Sequence, residues 1–134
     1  MNDTTVTTKP PRIGEAWLEQ GGIYAGLVRG ADGQPDHHLI LAEAKPEAMA
    51  WQAAVDWAAT VEVDGHKDFT LPTRRESALL FANLQDKFEP KWHWTSEQSS
   101  RNYAWGQDFD DGLQDFGDKY YEGRARAVRR FKVE

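Results

Sequence analysis

The residues best suited to metal chemistry are the carboxylates of "DFDDG", Asp108 to Gly112, in an acidic and aromatic stretch near the C-terminus. Asp108, Asp110 and Asp111 place hard oxygen ligands close together, as a calcium loop requires. The remaining ligands of an EF-hand loop and its closing glutamate are missing. Asp111-Gly112 also has the composition of a tight hairpin turn. We therefore expect a turn and no cofactor here, with a calcium site as the alternative.

Other metal and catalytic chemistry finds few candidate residues. His37 and His38 are adjacent, so on a strand they point to opposite faces and cannot chelate one ion together. The chain has no cysteine and no HxxxH or HExxH spacing, which argues against zinc or iron. Ser99 and Ser100 have no base predicted within reach, and solvation explains the carboxylates most simply. We predict that the protein is not an enzyme.

Aromatic residues in the same part of the chain favour a binding role. Trp92, Trp94 and Trp105 alternate with polar residues and are expected to form the core of a strand-rich half. Four further rings lie among Asp, Gly and Asn residues, a composition typical of adaptable binding loops, in which stiff rings supply contact area. These rings belong to Tyr103, Phe116, Tyr120 and Tyr121. The sequence therefore predicts a ligand-binding surface in this segment, with burial of some of these rings in a β-rich half of the domain as the alternative.

The composition limits the class of protein. A chain of 134 residues with net charge −6 is long enough for one domain, and its acidic balance argues against a nucleic-acid partner, which needs clustered Lys and Arg. Residues 1–12 are polar and end near Pro10-Pro11, so we expect a disordered arm, or a linker to a larger assembly or to further copies of the chain. No signal peptide or membrane span is predicted, so we expect the protein in the cytoplasm when it is made.

A small α+β domain over residues 13–134 is expected to position these segments. "GIYAGLV" and "HHLILAE" flank the turn-rich "RGADGQPD" and predict a β-hairpin. A first amphipathic helix is predicted to begin at Pro46, in "PEAMAWQAAVDWAAT". A second is predicted to run through "RRESALLFANLQDKF", directly after Thr73, which has capping-box spacing to Glu76. Short strands follow, and the basic C-terminal strand is expected to form salt bridges with Asp108, Asp115 or Asp118.

Seven segments occur in a characteristic order along the chain: "GIYAG", "HHLILAEA", "MAWQAAVDWA", "GHKDFTLPTRRE", "WHWTSEQ", "AWGQDFDDG" and "RARAVRRF". Their order over residues 13–131 resembles the Lcl C-terminal-like family. The resemblance implies a C-type-lectin-like fold related to formylglycine-generating enzymes, with a small, twisted, mostly antiparallel sheet, two helices and a strand- and loop-rich C-terminal half that faces the ligand. Those enzymes use active-site cysteines, which this chain lacks. Some members are encoded by phages, which implies a phage or prophage origin and association with a virion.

A narrower resemblance concerns residues 101–131, which look like the variable region of a diversity-generating retroelement. Such elements mutate adenine-rich codons, typically of asparagine, between fixed framework residues. The residues that match the framework are Ala104, Trp105, Gln107, Phe109, Gly112, Gln114, Lys119, Arg124, Arg126, Ala127, Val128, Arg129, Arg130 and Phe131. The intervening residues, all reachable from an asparagine codon by adenine changes, are Arg101, Asn102, Tyr103, Gly106, Asp108, Asp110, Asp111, Leu113, Asp115, Phe116, Gly117, Asp118, Tyr120, Tyr121 and Gly123. Glu122 departs from this pattern.

The sequence therefore predicts a non-catalytic binding module that presents residues 101–123 to a protein or glycan receptor. Trp105, Phe109 and Val128 are expected to be buried and to fix the backbone beneath this surface. The alternatives are an acidic inhibitor of a basic host protein and a calcium-dependent lectin. The residues predicted to contact the ligand are Arg101, Asn102, Tyr103, Gly106, Asp108, Asp110, Asp111, Leu113, Asp115, Phe116, Asp118, Tyr120 and Tyr121.

Overall fold

The computed structural model describes residues 9–133, in which two helices and seven strands form an α+β domain with two antiparallel sheets, the predicted fold class. In the first sheet, β1, β2, β3 and β7 span Ala16–Trp17, Gly22–Val28, His37–Leu41 and Val128–Lys132. In the second, β4, β5 and β6 span Trp92–Gln98, Tyr103–Asp108 and Gln114–Asp118. Helices α1 and α2 span Trp51–Thr60 and Arg74–Leu84, and short 3₁₀ helices span Leu18–Gln20 and Gln85–Lys87.

Most of the predicted N-terminal arm, residues 1–8, lies outside the described residues. The last residue of that predicted arm already contacts the domain. Arg12 donates its amide hydrogen to Glu15 Oε1 at 2.9 Å and accepts from the Glu15 amide at 3.0 Å. The chain therefore folds back on itself one residue before the predicted boundary.

The first sheet has the strand order β1-β2-β3-β7 and confirms the predicted hairpin of β2 and β3. The C-terminal strand β7 pairs antiparallel with β3, with Val128 opposite Leu41. The two ends of the domain therefore meet in one sheet. The second sheet has the order β4-β5-β6, and the segment leading into β7 joins the two, because Arg124 forms a parallel bridge with His93 on β4.

Helix α1 begins five residues later than predicted. Met49 and Gly123 exchange two backbone hydrogen bonds of 2.9 and 3.0 Å, which hold the chain extended where the sequence favours helix. The first amide of α1, on Trp51, then donates to the Lys119 carbonyl at 2.9 Å, which satisfies one of the unpaired donors at a helix start. A tertiary contact has overridden the local preference of Pro46 for a first helical position.

Helix α2 begins as its sequence predicts. Thr73 Oγ1 accepts from the Glu76 amide at 3.2 Å, and the Thr73 amide donates to Glu76 Oε1 at 2.9 Å, which completes a capping box. The helix packs on the first sheet and buries Leu80 and Leu84 against Leu39. Neither helix is long and apolar enough to cross a bilayer, nor is any other helical segment of residues 9–133.

The prediction that the C-terminal strand forms salt bridges with Asp108, Asp115 or Asp118 is wrong, although its arginines do form ion pairs with other residues. The acidic partners lie elsewhere in the chain, on the segments that the strand packs against. The ion pairs are Arg124–Glu89, Arg129–Asp68 and Arg130–Glu76. The aspartates of the acidic stretch are therefore not neutralised by the basic strand.

Candidate functional site

The acidic, aromatic stretch forms the antiparallel hairpin β5–β6, whose turn contains Asp111-Gly112 as predicted. Gly112 has φ +84°, a left-handed conformation that glycine adopts at little cost. Two carboxylates of "DFDDG" cap this turn: Asp108 Oδ1 accepts from the Asp110 amide and Asp111 Oδ1 from the Leu113 amide, both at 2.9 Å. Among residues 9–133, no three His, Asp or Glu side chains are grouped to hold a metal ion.

The predicted contact residues are spread along this hairpin rather than gathered at one point. Strand β5 has six residues, so its ends lie about 17 Å apart at ~3.4 Å per residue. One end carries Asp108, Asp110, Asp111 and Leu113. The other end carries the turn at Arg101 and Asn102 together with Asp118, Tyr120 and Tyr121. The candidate surface is therefore a ribbon, which we call the hairpin surface, residues 101–123.

Most of the predicted contact residues are exposed on the hairpin surface. Asp108 is half-buried at the end of β5. Gly106 is the exception, and its predicted ligand contact is contradicted by its burial. A Cβ atom there would lie 2.7 Å from Trp92 Nε1 and closer still to Cε2 and Cζ2, because the indole lies directly over the strand. The exposed residues are Arg101, Asn102, Tyr103, Asp110, Asp111, Leu113, Asp115, Phe116, Asp118, Tyr120 and Tyr121.

The residues that match the retroelement framework follow the opposite pattern, since none of them is exposed. Phe109 and Val128 are 1 % and 0 % exposed, as predicted, whereas Trp105 is only half-buried. Lys119 shows how a polar framework residue holds the hairpin: its Nζ donates to Gln98 Oε1 at 2.5 Å and to the Arg101 carbonyl at 2.8 Å. Its ammonium also lies 4.8 Å from the ring centroid of Trp51.

One face of the hairpin carries a row of aromatic rings. Cross-strand partners share a face, and Trp105 lies opposite Phe116. The Phe116 ring contacts both Trp105 and Tyr103 edge-on, with centroid distances of 5.6 and 5.7 Å. The Arg74 guanidinium stacks 3.6 Å from the centroid of the Trp105 ring, and its Nε donates to Gln114 Oε1 at 3.0 Å. Arg74, on α2, therefore holds the half-buried Trp105 ring at one end of this row.

The other face of the hairpin lies against Trp92 of β4. The Trp92 ring contacts Trp94 edge-on at 5.9 Å. A groove of about 350 Å³ opens beside it, lined by Trp92, Asp115, Phe116, Gly117, Asp118 and Tyr121. A neighbouring groove of about 330 Å³ shares Trp92 and Tyr121 but also contains Lys91 and Arg124. The first groove has only acidic charges in its lining, and the second has charges of both signs.

Trp92 and Arg74 are functional candidates that sequence reasoning missed. The alternation of Trp92, Trp94 and Trp105 with polar residues predicts a buried strand face, and Trp94 fits this because it is 0 % exposed. Trp92 is half-buried and lies between the grooves. The signal that could have found it is the set of glycines on the hairpin, since residues without side chains leave room for a large ring.

The histidines occupy structural positions. His37 and His38 point to opposite faces as predicted: His37 Nε2 lies 2.8 Å from Glu76 Oε2, and His38 Nδ1 lies 2.8 Å from the Tyr24 hydroxyl. His93 donates from Nδ1 to the Lys91 carbonyl at 2.8 Å. Burial lowers the pKa of His93 to about 4, so the ring is neutral in the folded protein at pH 7.

This arrangement defines an α+β domain whose C-terminal hairpin presents exposed rings and carboxylates over a buried framework. The model of the Lcl C-terminal domain matches residues 17–129, which is most of the chain. The chain belongs to the Lcl C-terminal domain family. The search of curated proteins gives no match.

Proposed function

We propose that the chain is a non-catalytic receptor-binding module, encoded by a phage or prophage, that binds a protein receptor with the hairpin surface. We further propose that its fold is C-type-lectin-like and that residues 101–131 are the variable region of a diversity-generating retroelement. The receptor is a protein rather than a glycan in this proposal. The exposed residues extend along the ribbon and past both ends, which suits a broad macromolecular contact better than a single sugar pocket.

The observation that carries the proposal is the separation of exposed from unexposed residues along one segment. The intervening positions, apart from Gly106, Asp108, Gly117 and Gly123, are exposed, whereas every framework position is buried or half-buried. Exposed positions can change with little effect on stability, and buried ones cannot. A segment with this separation can vary its contacts while its backbone stays fixed.

The exposed rings support a contact surface on the same segment. Large apolar side chains exposed within it include Tyr120 at 88 %, Leu113 at 63 % and Tyr121 at 57 %. Tyrosine with small polar neighbours provides contact area with little loss of side-chain entropy. Without a binding partner, these exposed side chains would lower the solubility of the protein.

The binding proposal is tested with labelled protein on arrays of surface proteins and of glycans. Wild type is compared with a Tyr120→Ala/Tyr121→Ala variant and with Leu18→Ala, which removes a side chain 72 % exposed on the first sheet's side of the domain. We expect signals on particular proteins that the double variant loses and Leu18→Ala keeps. Equal signals from all three proteins would refute the role of the hairpin surface.

The alternatives give different results in the same assay. Signals on glycans alone would replace the protein receptor by a sugar. Signals that fall steeply with ionic strength and survive in Tyr120→Ala/Tyr121→Ala would favour an acidic inhibitor of a basic protein, because salt screens exposed charges and such binding does not depend on the rings. Signals that require calcium would favour a calcium-dependent lectin.

The retroelement proposal is tested in the flanking DNA. We expect a reverse-transcriptase gene beside an adenine-rich near-copy of the codons for residues 101–131. Flanking DNA that contains neither would refute diversification and leave the binding proposal standing.

A further inference from the structure

The groove beside Trp92 joins an aromatic surface to carboxylates. Trp92 and Tyr121 contribute rings, and Asp115 and Asp118 contribute the charged groups of its lining. None of the described residues that line it is basic. The groove exists because Gly117 has no side chain: a Cβ there would lie 3.4 Å from Trp92 Cζ2, and a longer side chain would extend over the ring.

The two aspartates are held in fixed orientations. Asp115 Oδ1 accepts from the Phe116 amide and Asp118 Oδ1 from the Tyr120 amide, both at 2.8 Å. No salt bridge joins either carboxylate to another described residue. Each carboxylate therefore lies at the groove without a basic partner among the described residues, while one of its oxygens accepts a hydrogen bond from the backbone. The nearest basic residue in sequence, Lys119, directs its ammonium to Gln98 and the Arg101 carbonyl instead.

Cations already stack on aromatic rings at three places in this domain. Arg74 lies over Trp105, Lys119 over Trp51 and Arg126 over Phe88, with distances to the ring centroids of 3.6, 4.8 and 4.7 Å. Trp92 has no such cation among the described residues, although its half-buried ring lines two grooves. A planar guanidinium satisfies both parts of the groove, because it stacks on an indole and donates in pairs to a carboxylate.

We propose that this groove is a subsite for an arginine side chain of the receptor, which stacks on Trp92 and donates to Asp115, while Asp118 adds negative charge at the rim of the groove. The inference rests on the proposed function and specifies its partner: the receptor presents an arginine where it contacts residues 115–121 of the hairpin surface. Lysine is a weaker occupant, because its ammonium cannot stack as a plane.

The test is a titration of the whole protein, labelled with ¹⁵N at tryptophan, with Nα-acetyl-arginine methylamide. The matched neutral probe is Nα-acetyl-citrulline methylamide, which has the same shape without the charge. The readout is the indole N–H signal of Trp92, assigned from the spectrum of Trp92→Phe. We expect a saturable shift with arginine, with a dissociation constant on the order of millimolar, and no saturable shift with citrulline.

Three variants locate the binding. Asp115→Asn/Asp118→Asn removes both charges and keeps an Oδ1 acceptor for each backbone cap, and we expect affinity to fall about tenfold. Gly117→Val fills the groove from an edge strand that tolerates a β-branched residue, and we expect saturation to disappear. Asp32→Asn removes the same charge from the β2–β3 turn at a left-handed position, φ +54°, that asparagine tolerates, and we expect unchanged affinity.

The inference is overturned if citrulline shifts the signal as arginine does, or if the double aspartate variant binds as tightly as Asp32→Asn. It is also overturned if Gly117→Val, shown to be folded by its thermal melt, still saturates. These outcomes are independent of the receptor arrays. A failed titration with receptor signals intact removes the arginine subsite alone, whereas a successful titration without any receptor signal removes the proposed function alone.

Discussion

Gly106→Ala tests whether Trp92 lies over the hairpin as the structure places it. The new Cβ would lie 2.7 Å from Trp92 Nε1, about 1 Å inside an ordinary contact of ~3.5–4.0 Å. The indole would have to move away from the strand, or the strands would have to separate. Overpacking of this kind costs ~1–3 kcal/mol, and the lower entropy of the unfolded alanine variant offsets ~0.4–1 kcal/mol of that.

Gly117→Ala is the matched control, since its Cβ would lie at an ordinary 3.4 Å from the same ring. In Gly106→Ala, three atoms of the Trp92 ring would lie within 2.7 Å of the new Cβ, so we take the upper part of the overpacking range, ~2–3 kcal/mol, which leaves a net loss of ~1–2.6 kcal/mol. At ~3–4 °C per kcal/mol for a domain of this size, we expect Gly106→Ala to melt roughly 3–10 °C below wild type and Gly117→Ala to melt within ~2 °C of it. Thermal and urea unfolding followed by circular dichroism measure the difference. A red shift of tryptophan emission in Gly106→Ala would show that the indole has moved outward. Equal melting of both variants and wild type would refute the placement of Trp92.

Three further predictions concern stability. Phe109→Ala should lower the free energy of unfolding by ~3–5 kcal/mol, because its ring is 1 % exposed and stacks on the Phe88 ring at 4.0 Å. Tyr120→Ala should change it by no more than ~0.5 kcal/mol. Similar losses for the two variants in urea unfolding would contradict the division of the hairpin into buried framework and exposed surface. Arg130→Met should cost ~3 kcal/mol, because it leaves Glu76, 2 % exposed, without its two bonds of 2.6 Å. The cost is at the low end for a buried charge because His37 Nε2 stays 2.8 Å from Glu76 Oε2. The double variant Arg130→Met/Glu76→Gln should recover part of this loss, and no recovery would argue against the ion pair. His93 should make the protein less stable as pH falls from 6.5 towards 4, because the ring gains a proton in the unfolded state before it does in the folded state, where its pKa is about 4. Urea unfolding at several pH values should show that the free energy of unfolding depends less steeply on pH in His93→Gln than in wild type. An unchanged dependence would contradict the burial of the ring.

The parts of the fold that the sequence predicts well are those with local signals. The capping box of Thr73 and Glu76 needs only a spacing of three residues, and the turn at Asp111-Gly112 needs only two residue types. Exposure along the hairpin does not follow strand alternation, since Asp115 and Phe116 are neighbours on the edge strand β6 and both are exposed.

The parts that it misses depend on contacts between distant residues. Helix α1 begins late because Met49 pairs with Gly123, a partner more than seventy positions away. Arg129 pairs with Asp68 for the same kind of reason. The burial of Gly106 requires knowledge that β4 places Trp92 across the hairpin, which no pattern within the hairpin contains. Composition can predict that a surface exists, but the shape of its grooves comes from the neighbouring strand.

Three of the intervening positions are glycines that surround one ring, and this constrains what diversification could achieve. A Cβ at Gly123 would lie 2.7 Å from Trp92 Cδ1 and 3.0 Å from Trp94 Nε1, so that position is crowded too, although less than Gly106. Gly117, on the edge strand β6, has ordinary contact distances instead. A change at Gly117 would therefore alter the groove, whereas a change at Gly106 or Gly123 would disturb the framework.

A library randomised at these three glycines and selected only for folding, by protease resistance on the cell surface, tests this distinction. We expect survivors to retain glycine at 106 and 123 and to accept many residues at 117, because only the last substitution leaves the two tryptophan rings in place. Equal tolerance at all three positions would show that the tryptophan rings can move freely. Trp92 would then not provide a rigid surface on which a ligand could stack. Retention of glycine at all three would make the groove part of the framework rather than part of the variable surface.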